Sequence, residues 1–429
     1  MLSRRHFIKL AGSSAGLLVS ACQTRPKKAS AAHVVIIGGG FGGATAAKMI
    51  KKLDPSIQVT LIEPKSHYIS CPGSNWIFAG LKKITDLTFS YQTLSHQYNI
   101  KVIHQQVTEI EADKHWVILN NQQKIHYDRL IVSPGIDFNW DHIEGHNETS
   151  CHLIPHAWKA GSQTTLLNNQ LQSMPDGGTV TICAPPNPFR CPPGPYERAS
   201  MMAHYLKRHK PKSKIIILDQ KTQFSKQNLF IEGWKKHYGY GTSHSMIEWH
   251  SISDNPIIKI DVKTKRVETD FGDKFNSDVL NYIPTQKAGN IAHSASLCDD
   301  SGWCPVSHQT SESTRHPKIH IIGDASSHNP LPKSAFAANA EAKTCAFAVV
   351  SLLNEIELLN PTWINTCYSL LTANQAISIA MVYKLNLEGK ISPVNGAGGI
   401  TTRTDSKSLA LEANYAKQWL SRITTDTFN

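Results

Sequence analysis

Short runs of consecutive apolar residues alternate along the chain with longer, more polar segments of helical composition. Residues 33–37 form the first run, a glycine-rich stretch and a helix-forming segment follow, and residues 58–62 form the second run. Strands that are apolar at every position are typical of parallel sheets covered on both faces. The pattern therefore predicts an α/β fold that begins with a β-α-β unit.

The same succession of elements returns in the middle of the chain. Residues 178–183 and 214–219 have the composition of buried strands, and residues 196–206 between them have that of a helix. In addition, residues 277–284 resemble residues 127–134. These similarities predict a second β-α-β unit inserted into the first domain.

The glycine-rich stretch after the first predicted strand has the spacing of a dinucleotide-binding loop. Gly38 permits a tight turn, Gly40 lets the backbone approach a pyrophosphate, and Gly43 allows the helix to pack closely against the strand. The start of the helix then offers free N–H groups to the phosphates. Glu63 follows the second strand, twenty residues after Gly43, where a carboxylate can accept hydrogen bonds from an adenosine ribose.

Two further segments favour FAD as the bound dinucleotide. Residues 127–135 resemble the strand and turn by which flavin reductases leave their first domain, and residues 318–325 resemble their second flavin fingerprint. Asp324 is placed there to bind the ribityl chain. The helix predicted for residues 333–348 starts where its dipole can stabilise a reduced flavin, and Lys333 is a candidate for a further positive charge.

The turn of the second unit lacks the glycines that a nicotinamide dinucleotide would require. Residues 184–195 contain six prolines and one glycine, and Cys191 lies among them. Proline has no N–H to donate and restricts φ, so this loop cannot surround a pyrophosphate as a glycine-rich loop does. Binding of NAD(P)H is therefore disfavoured.

Several strings of this sequence resemble one known family. They are residues 189–200, 224–227, 246–250, 302–306 and 365–369, together with the start at residues 3–9. On these motifs the chain is similar, over essentially its whole length, to the flavoprotein subunit of flavocytochrome c sulfide dehydrogenase. That family is related to sulfide:quinone oxidoreductase within the glutathione-reductase-like superfamily. The resemblance implies two Rossmann-like dinucleotide-binding domains and a C-terminal interface domain.

The domain boundaries expected from this organisation divide the chain into four parts. They are an export signal at 1–31, an FAD-binding domain at 33–144 and 286–356, an NAD-binding-like domain without a glycine fingerprint at 145–285, and an interface domain at 357–429. The FAD-binding domain is thus discontinuous in sequence.

The resemblance also implies the chemistry of the site. A redox-active disulfide is expected between Cys191 and Cys367, and a thioether is expected between the flavin and Cys71. Oxidation of hydrogen sulfide would begin with attack of hydrosulfide on the disulfide and release of one cysteine as a thiolate. Glu197 is a candidate acid or base, or else a charge that complements the start of its helix.

The expected electron acceptor is a second polypeptide. The chain contains no C-x-x-C-H haem-attachment sequence. A c-type cytochrome subunit is therefore expected to form a heterodimer, mainly through residues after about Glu357. Two alternatives remain open. One is a sulfide:quinone oxidoreductase, although residues 409–427 are polar for a membrane-inserting stretch. The other is a non-catalytic, exported FAD-binding docking protein.

The beginning of the chain predicts export to a bacterial periplasm. Arg4 and Arg5 lie in a twin-arginine motif, and the apolar run that follows is too short to span a bilayer as a stable anchor. Processing is left open between cleavage near Ala31 and acylation of Cys22. No transmembrane segment is expected.

Composition changes this picture little. The formal net charge is +11, and without the six basic residues of the first 32 positions it is about +5. This mildly basic chain has no cluster of Lys and Arg that would favour nucleic acid. Nine cysteines in an oxidising compartment are compatible with a disulfide, and none has the spacing of a metal site.

Overall fold

The computed structural model describes residues 32–140 and 142–429. The twin-arginine motif, Cys22 and the cleavage position near Ala31 lie outside the described residues. The described part of the chain contains eight α-helices and 22 strands, and the strands form seven sheets. This composition confirms the predicted α/β class.

The helices and strands are numbered here in chain order. The helices are α1 (Phe41–Leu53), α2 (Gln92–Tyr98), α3 (Ser162–Ser173), α4 (Gly194–His209), α5 (Gln227–Tyr238), α6 (Asn290–Ser294), α7 (Ala335–Leu353) and α8 (Ser406–Phe428). The strands are β1 (His33–Ile37), β2 (Gln58–Ile62), β3 (His67–Ile69), β4 (Thr88–Ser90), β5 (Lys101–Ile103), β6 (Val107–Glu111), β7 (Trp116–Leu119), β8 (Lys124–His126), β9 (Arg129–Val132), β10 (Ile136–Phe138), β11 (Thr179–Ala184), β12 (Lys214–Asp219), β13 (Ile247–Ser251), β14 (Ile257–Asp261), β15 (Arg266–Thr269), β16 (Lys274–Asn276), β17 (Val279–Tyr282), β18 (Gln286–Ala288), β19 (Ile319–Ile321), β20 (Thr362–Thr372), β21 (Gln375–Leu385) and β22 (Ile391–Ile400).

The first sheet is parallel throughout, with strand order β19-β9-β1-β2-β5. Alternate side chains of β1 enter different hydrophobic clusters, because Val35 joins one cluster while Val34 and Ile36 join another. The sheet is therefore covered on both faces, as the uninterrupted apolar run predicts. The glycine-rich loop follows β1, and β19 brings residues 323–325 to the same edge of the sheet.

The second sheet repeats the first. Its parallel order β17-β11-β12-β13 corresponds to β9-β1-β2-β5, and in both halves a three-stranded antiparallel sheet precedes the returning strand. An aspartate closes each unit in the same way. His33 N donates to Asp128 Oδ2 at 2.6 Å, and Thr179 N donates to Asp278 Oδ2 at 2.8 Å. The structure thus shows the internal repeat that the sequence predicts.

The last segment forms an antiparallel sheet, β20-β21-β22, followed by α8. Helix α8 packs against β21 and against α1 of the first unit. The buried Lys48 of α1 fixes the chain end, since its Nζ donates to the carbonyl oxygens of Asp426 and Asn429, each at 2.5 Å. The C-terminal segment is therefore joined to the glycine-loop helix.

One described helix, α7, is long and apolar enough to cross a membrane by length and composition alone. It packs against α1 and β20, and 61% of its apolar stretch is buried inside the structure. Its hydrophobic composition is accounted for by this core position.

Candidate functional site

A cavity of about 370 Å³ opens where the first sheet, the proline-rich loop and the C-terminal sheet meet. Most of the residues selected from the sequence line it. They are Gly38, Gly40, Glu63, Cys71, Cys191, Glu197, Asp324 and Cys367. Two selected residues, Gly43 and Lys333, are not among the residues that line the cavity.

The glycine loop has a geometry that larger residues would disrupt. Gly38 has φ of +97°, and a Cβ at this position would lie 2.2 Å from the carbonyl oxygen of Ser133. A Cβ at Gly43 would lie 1.9 Å from the carbonyl oxygen of Gly38. The absence of a side chain at Gly43 therefore allows α1 to pack directly against the loop. Glu63 stabilises it from the side, because its Oε2 accepts a hydrogen bond from Gly39 N at 2.9 Å.

Cys191 and Cys367 come together although they are 176 positions apart in the chain. Cys191 lies just before α4 in a left-handed conformation with φ of 57°, and its N–H donates to Lys333 O at 2.8 Å. Cys367 lies in the middle of β20. Both are free thiols here, and a side-chain interaction between them changes the acidity of each. The fold thus places both thiols at the same cavity.

The two thiols have different acidities. The hydrogen bond from Cys191, with a smaller contribution from the positive charge of Lys226, lowers the pKa of Cys367 to about 7 despite burial. The same hydrogen bond, reinforced by burial, raises the pKa of Cys191 well above its usual range. Cys367 is therefore the member of the pair that ionises first.

Cys71 lies two residues after β3 and faces the same cavity. It is partly exposed, and its Sγ donates to the carbonyl oxygen of Trp158 at 3.5 Å. Gly73 follows with φ of +82° and starts the turn that carries Asn75 and Trp76. The thiol is therefore available to a group that enters the cavity.

The carboxylate of Glu197, in the first turn of α4, accepts hydrogen bonds from three buried donors. Its Oε1 accepts from Trp76 Nε1 at 3.1 Å and from Leu370 N at 3.0 Å, and its Oε2 accepts from Asn75 Nδ2 at 3.0 Å. These contacts join the turn after Cys71 to the strand that carries Cys367. The arrangement gives Glu197 a clear role in holding the two cysteine-bearing segments together.

Asp324 presents an unsatisfied oxygen at the cavity. Its Oδ2 lies 3.7 Å from Arg190 Nη1, whereas its Oδ1 is buried without a hydrogen-bond partner among the described residues. Lys333 supports this turn from the far side, since its Nζ donates to Asp324 O at 2.8 Å and to Ser326 O at 2.9 Å. Burial lowers the pKa of Lys333 to about 8.

These features fit an FAD molecule. The glycine loop and the start of α1 offer backbone N–H groups without side chains to obstruct a pyrophosphate. A buried carboxylate oxygen without a partner is costly, and a ribityl hydroxyl would satisfy Asp324 Oδ1. The start of α7 also faces the cavity through Ser334, Ala335 and Phe336.

The second unit differs from the first at the position that corresponds to Glu63. Asp219, at the end of β12, corresponds to Glu63, which follows β2. Both of its carboxylate oxygens are bound by protein groups. Its Oδ2 accepts from Tyr196 Oη at 2.6 Å and from Trp249 Nε1 at 3.0 Å, and its Oδ1 pairs with Lys221 Nζ at 2.6 Å. The ring of Tyr196 stacks on Phe224 with centroids 3.7 Å apart. Aromatic side chains therefore fill the region beside the proline-rich loop.

Sequence reasoning left several residues of this region without a role. Arg190 and Arg198 flank Cys191, and Lys226 precedes α5; all three lie in strings that carry the family resemblance, which was the available signal. Arg198 is 2% exposed and donates from Nη1 to Asn281 Oδ1 at 2.7 Å. Trp158 lines the cavity without any such signal in the sequence.

Comparison with known proteins assigns three segments of the chain to described families. Residues 164–284 match "Sulfide dehydrogenase [flavocytochrome c] flavoprotein chain, central". Residues 359–428 match "Flavocytochrome c sulphide dehydrogenase, flavin-binding". Residues 32–166 match "Pyridine nucleotide-disulphide oxidoreductase".

Individual relatives agree with these assignments. The chain is 64% identical over 43 residues to the sulfide dehydrogenase flavoprotein chain of Chlorobaculum thiosulfatiphilum, which is 10% of this chain and 90% of that sequence. It is 30% identical over 178 residues to a sulfide-quinone reductase of Aquifex aeolicus, spanning 42% of this chain and 40% of that relative. The crystal structure of the Aquifex aeolicus sulfide:quinone oxidoreductase has the same fold, with a TM-score of 0.71, 17% identity and 92% of each chain covered.

Proposed function

Because the chain belongs to the family of flavocytochrome c sulfide dehydrogenase flavoprotein chains, we propose that it oxidises hydrogen sulfide to sulfane sulfur with FAD. The observation that carries this proposal is the juxtaposition of Cys191 and Cys367 in the cavity that the glycine loop borders. The oxidised form of the pair is the electrophile, and hydrosulfide is the nucleophile. Polysulfide is the expected product of repeated turnover.

The bond changes follow from thiol–disulfide exchange. Hydrosulfide attacks one sulfur of the oxidised pair, the S–S bond breaks, and the other cysteine leaves as a thiolate with the bonding electrons. The attacked cysteine then carries a persulfide. FAD, when bound, supplies an acceptor for the two electrons that the sulfur atoms give up. Glu197 keeps the two cysteine-bearing segments in place through Trp76, Asn75 and Leu370.

The flavin would be held by residues of the first unit. The loop of Gly38 and Gly40 would receive the pyrophosphate, Glu63 the ribose and Asp324 the ribityl chain. We further propose that Cys71 binds the flavin covalently, since its thiol is partly exposed at the cavity. Acid precipitation of the holoprotein should then leave the flavin in the pellet, whereas Cys71→Ser should release it. Complete release of flavin from the unaltered protein would contradict the covalent bond.

The partner that we propose is a c-type cytochrome subunit bound through the C-terminal domain. The apolar side chains of Ile364, Leu387 and Ile400 are exposed on or next to its sheet, and exposed apolar residues favour a permanent, largely apolar interface. A haem protein that co-purifies through moderate salt would support this. Full-rate reduction of a soluble quinone by the flavoprotein alone would instead indicate a quinone-linked enzyme.

We also propose a periplasmic location, for which Arg4 and Arg5 are the support. Replacing both by lysine should retain the protein in the cytoplasm, where cell fractionation would detect it. Secretion of the double variant at the normal rate would contradict a twin-arginine route.

The reaction itself is tested by anaerobic absorbance spectroscopy. Sulfide should bleach the flavin of the oxidised protein, whereas Cys191→Ser and Cys367→Ser should retain FAD without being bleached. Cys345→Ser is the matched control, because Cys345 is buried in α7 outside the cavity lining. NADH should reduce the flavin poorly, because both carboxylate oxygens of Asp219 are already bound by protein groups and are not free for a nucleotide ribose. Rapid bleaching by NADH, or by sulfide in either cysteine variant, would refute the proposal.

A further inference from the structure

Lys226 is a buried lysine without a carboxylate partner. Lys226 is 8% exposed, and among the described residues it forms no ion pair with Asp or Glu. Its Nζ donates to the hydroxyl of Ser369 at 2.9 Å. A buried ammonium group is costly unless an opposite charge accompanies it. An ion pair with a carboxylate therefore does not account for this buried positive charge.

The hydroxyl that Lys226 contacts lies on the strand that carries Cys367. Ser369 and Cys367 are two residues apart on β20, so their side chains lie on the same face of the strand. The charge that contributes most to the electrostatic environment of Lys226 is that of Cys367, ahead of Glu197, Cys191 and Glu412. The hydrogen bond to Ser369 and this charge interaction both connect the ammonium group with Cys367.

The backbone supports the same interpretation. Lys226 has φ of 61°, a left-handed conformation that strains most residues other than glycine, and it directly precedes α5. A glycine would relieve this strain but would not provide a cation. Strained residues of this kind are concentrated at functional sites.

We propose that Lys226 is the counter-ion of the Cys367 thiolate and thereby sets the direction of the exchange at the cysteine pair. Lys226 is a positioning residue that acts through Cys367. The inference rests on the proposed function and deepens it. Hydrosulfide attacks Cys191 Sγ and forms a new S–S bond with its electron pair. The Cys191–Cys367 bond breaks, Cys367 leaves with the bonding electrons, and the hydrosulfide proton stays on the terminal sulfur of the Cys191 persulfide.

The electrostatics of the pair agree with this direction. Besides Lys226, the titratable or charged groups around Cys367 are Cys191, just before α4, and Glu197 in α4, while Glu412 of α8 interacts with Lys226. Glu197 opposes a second negative charge at Cys367, so among these groups Lys226 is the cation that favours the thiolate. The thiol with the lower pKa is the better leaving group in thiol–disulfide exchange.

The first test measures the acidity of Cys367 without sulfide. The reduced holoprotein is treated with iodoacetamide at a series of pH values, and peptides containing Cys191 and Cys367 are quantified by mass spectrometry. Cys367 should react before Cys191, with a midpoint near pH 7. In Lys226→Met the midpoint should rise by about one unit, which lowers the thiolate fraction at pH 7 from about one half to about one tenth and slows alkylation about fivefold. Lys226→Arg should keep the original profile.

Lys221→Met is the matched control. Lys221 also belongs to the second unit and its side chain is 10% exposed, but its ammonium pairs with Asp219 at 2.6 Å, so its removal should leave the midpoint of Cys367 unchanged. Earlier alkylation of Cys191 in the unaltered protein would overturn the proposal even if Lys226→Met failed to fold. An unchanged midpoint in Lys226→Met would also overturn it.

The second test locates the sulfur adduct. The oxidised holoprotein receives about one equivalent of sulfide anaerobically, and iodoacetamide then traps the persulfide for peptide mapping. The adduct should be found on the Cys191 peptide, and an adduct on Cys367 would overturn the proposed direction. If sulfide produced no adduct on either cysteine, the proposed function would fail, whereas the alkylation profile would still decide the pairing of Lys226 with Cys367.

Discussion

Replacement of Glu197 distinguishes a structural carboxylate from an acid–base catalyst. In Glu197→Ala, buried donors on Trp76 and Leu370 lose their acceptor, and Asn75 Nδ2 keeps only its hydrogen bond to Gly194 O at 3.1 Å. Each unsatisfied donor costs about 1–3 kcal/mol, and the three are neighbours, so the costs are not strictly additive. We expect the free energy of unfolding to fall by about 3–6 kcal/mol on this basis.

Glu197→Gln should be much milder. The amide oxygen can still accept from Trp76 and Leu370, but the amide nitrogen then faces Asn75 Nδ2. Asn75 cannot simply rotate, because its Oδ1 accepts from Arg198 Nε at 3.1 Å. One donor–donor contact replaces one hydrogen bond, and the expected loss of stability is about 1–3 kcal/mol.

Urea unfolding of the holoprotein, followed by tryptophan fluorescence, measures both losses. The rate of flavin reduction by sulfide is measured on the same samples, and in Glu197→Gln it should stay within about tenfold of normal. A removed general acid or base typically costs about 10²–10⁴-fold. A stable Glu197→Gln protein whose rate fell by that much would refute the structural role and support acid–base catalysis.

Three further outcomes follow from local geometry. Gly43→Ala should abolish flavin retention, measured by absorbance of the purified protein, because its Cβ would lie 1.9 Å from Gly38 O. Burial raises the pKa of Glu341 from 4.5 to about 8. Between these pH values Glu341 is therefore protonated in the folded protein and ionised in the unfolded chain. The free energy of unfolding should therefore decrease between those pH values, and Glu341→Gln should flatten that decrease; an equal slope in the variant would contradict this assignment. The sulfur atoms of Cys298 and Cys304 lie 3.6 Å apart, so oxidised glutathione should link them, and non-reducing peptide mapping that finds both as free thiols would contradict this.

The α/β class and the internal repeat could be predicted from the sequence because they depend on local patterns. The apolar run of β1, the glycines after it and the acid after β2 occur within about 30 residues of one another. Each element is stabilised by the residues next to it, so a one-dimensional pattern contains the information. The missing glycines between residues 184 and 195 are a signal of the same local kind.

The arrangement of the cysteine site depended on the tertiary structure. Cys191 and Cys367 belong to a loop before α4 and to β20, and only the packing of the C-terminal sheet against α4 brings them into contact. Resemblance to a family implied that pairing, but the residue pattern by itself did not. Lys226 lies in a string that carries the family resemblance, but its burial beside Ser369 follows only from the tertiary structure.

The sequence by itself determined which elements form and that the first unit, not the second, has a dinucleotide loop. The tertiary structure decided which charges and thiols face one another. The physical reason is range: backbone hydrogen bonding and strand apolarity act between neighbours in the chain, whereas desolvation and electrostatic interaction act between whichever groups packing brings together. The roles of Glu197, Asp324 and Lys333 depend on their burial and hydrogen-bond partners. The linear sequence does not contain this information.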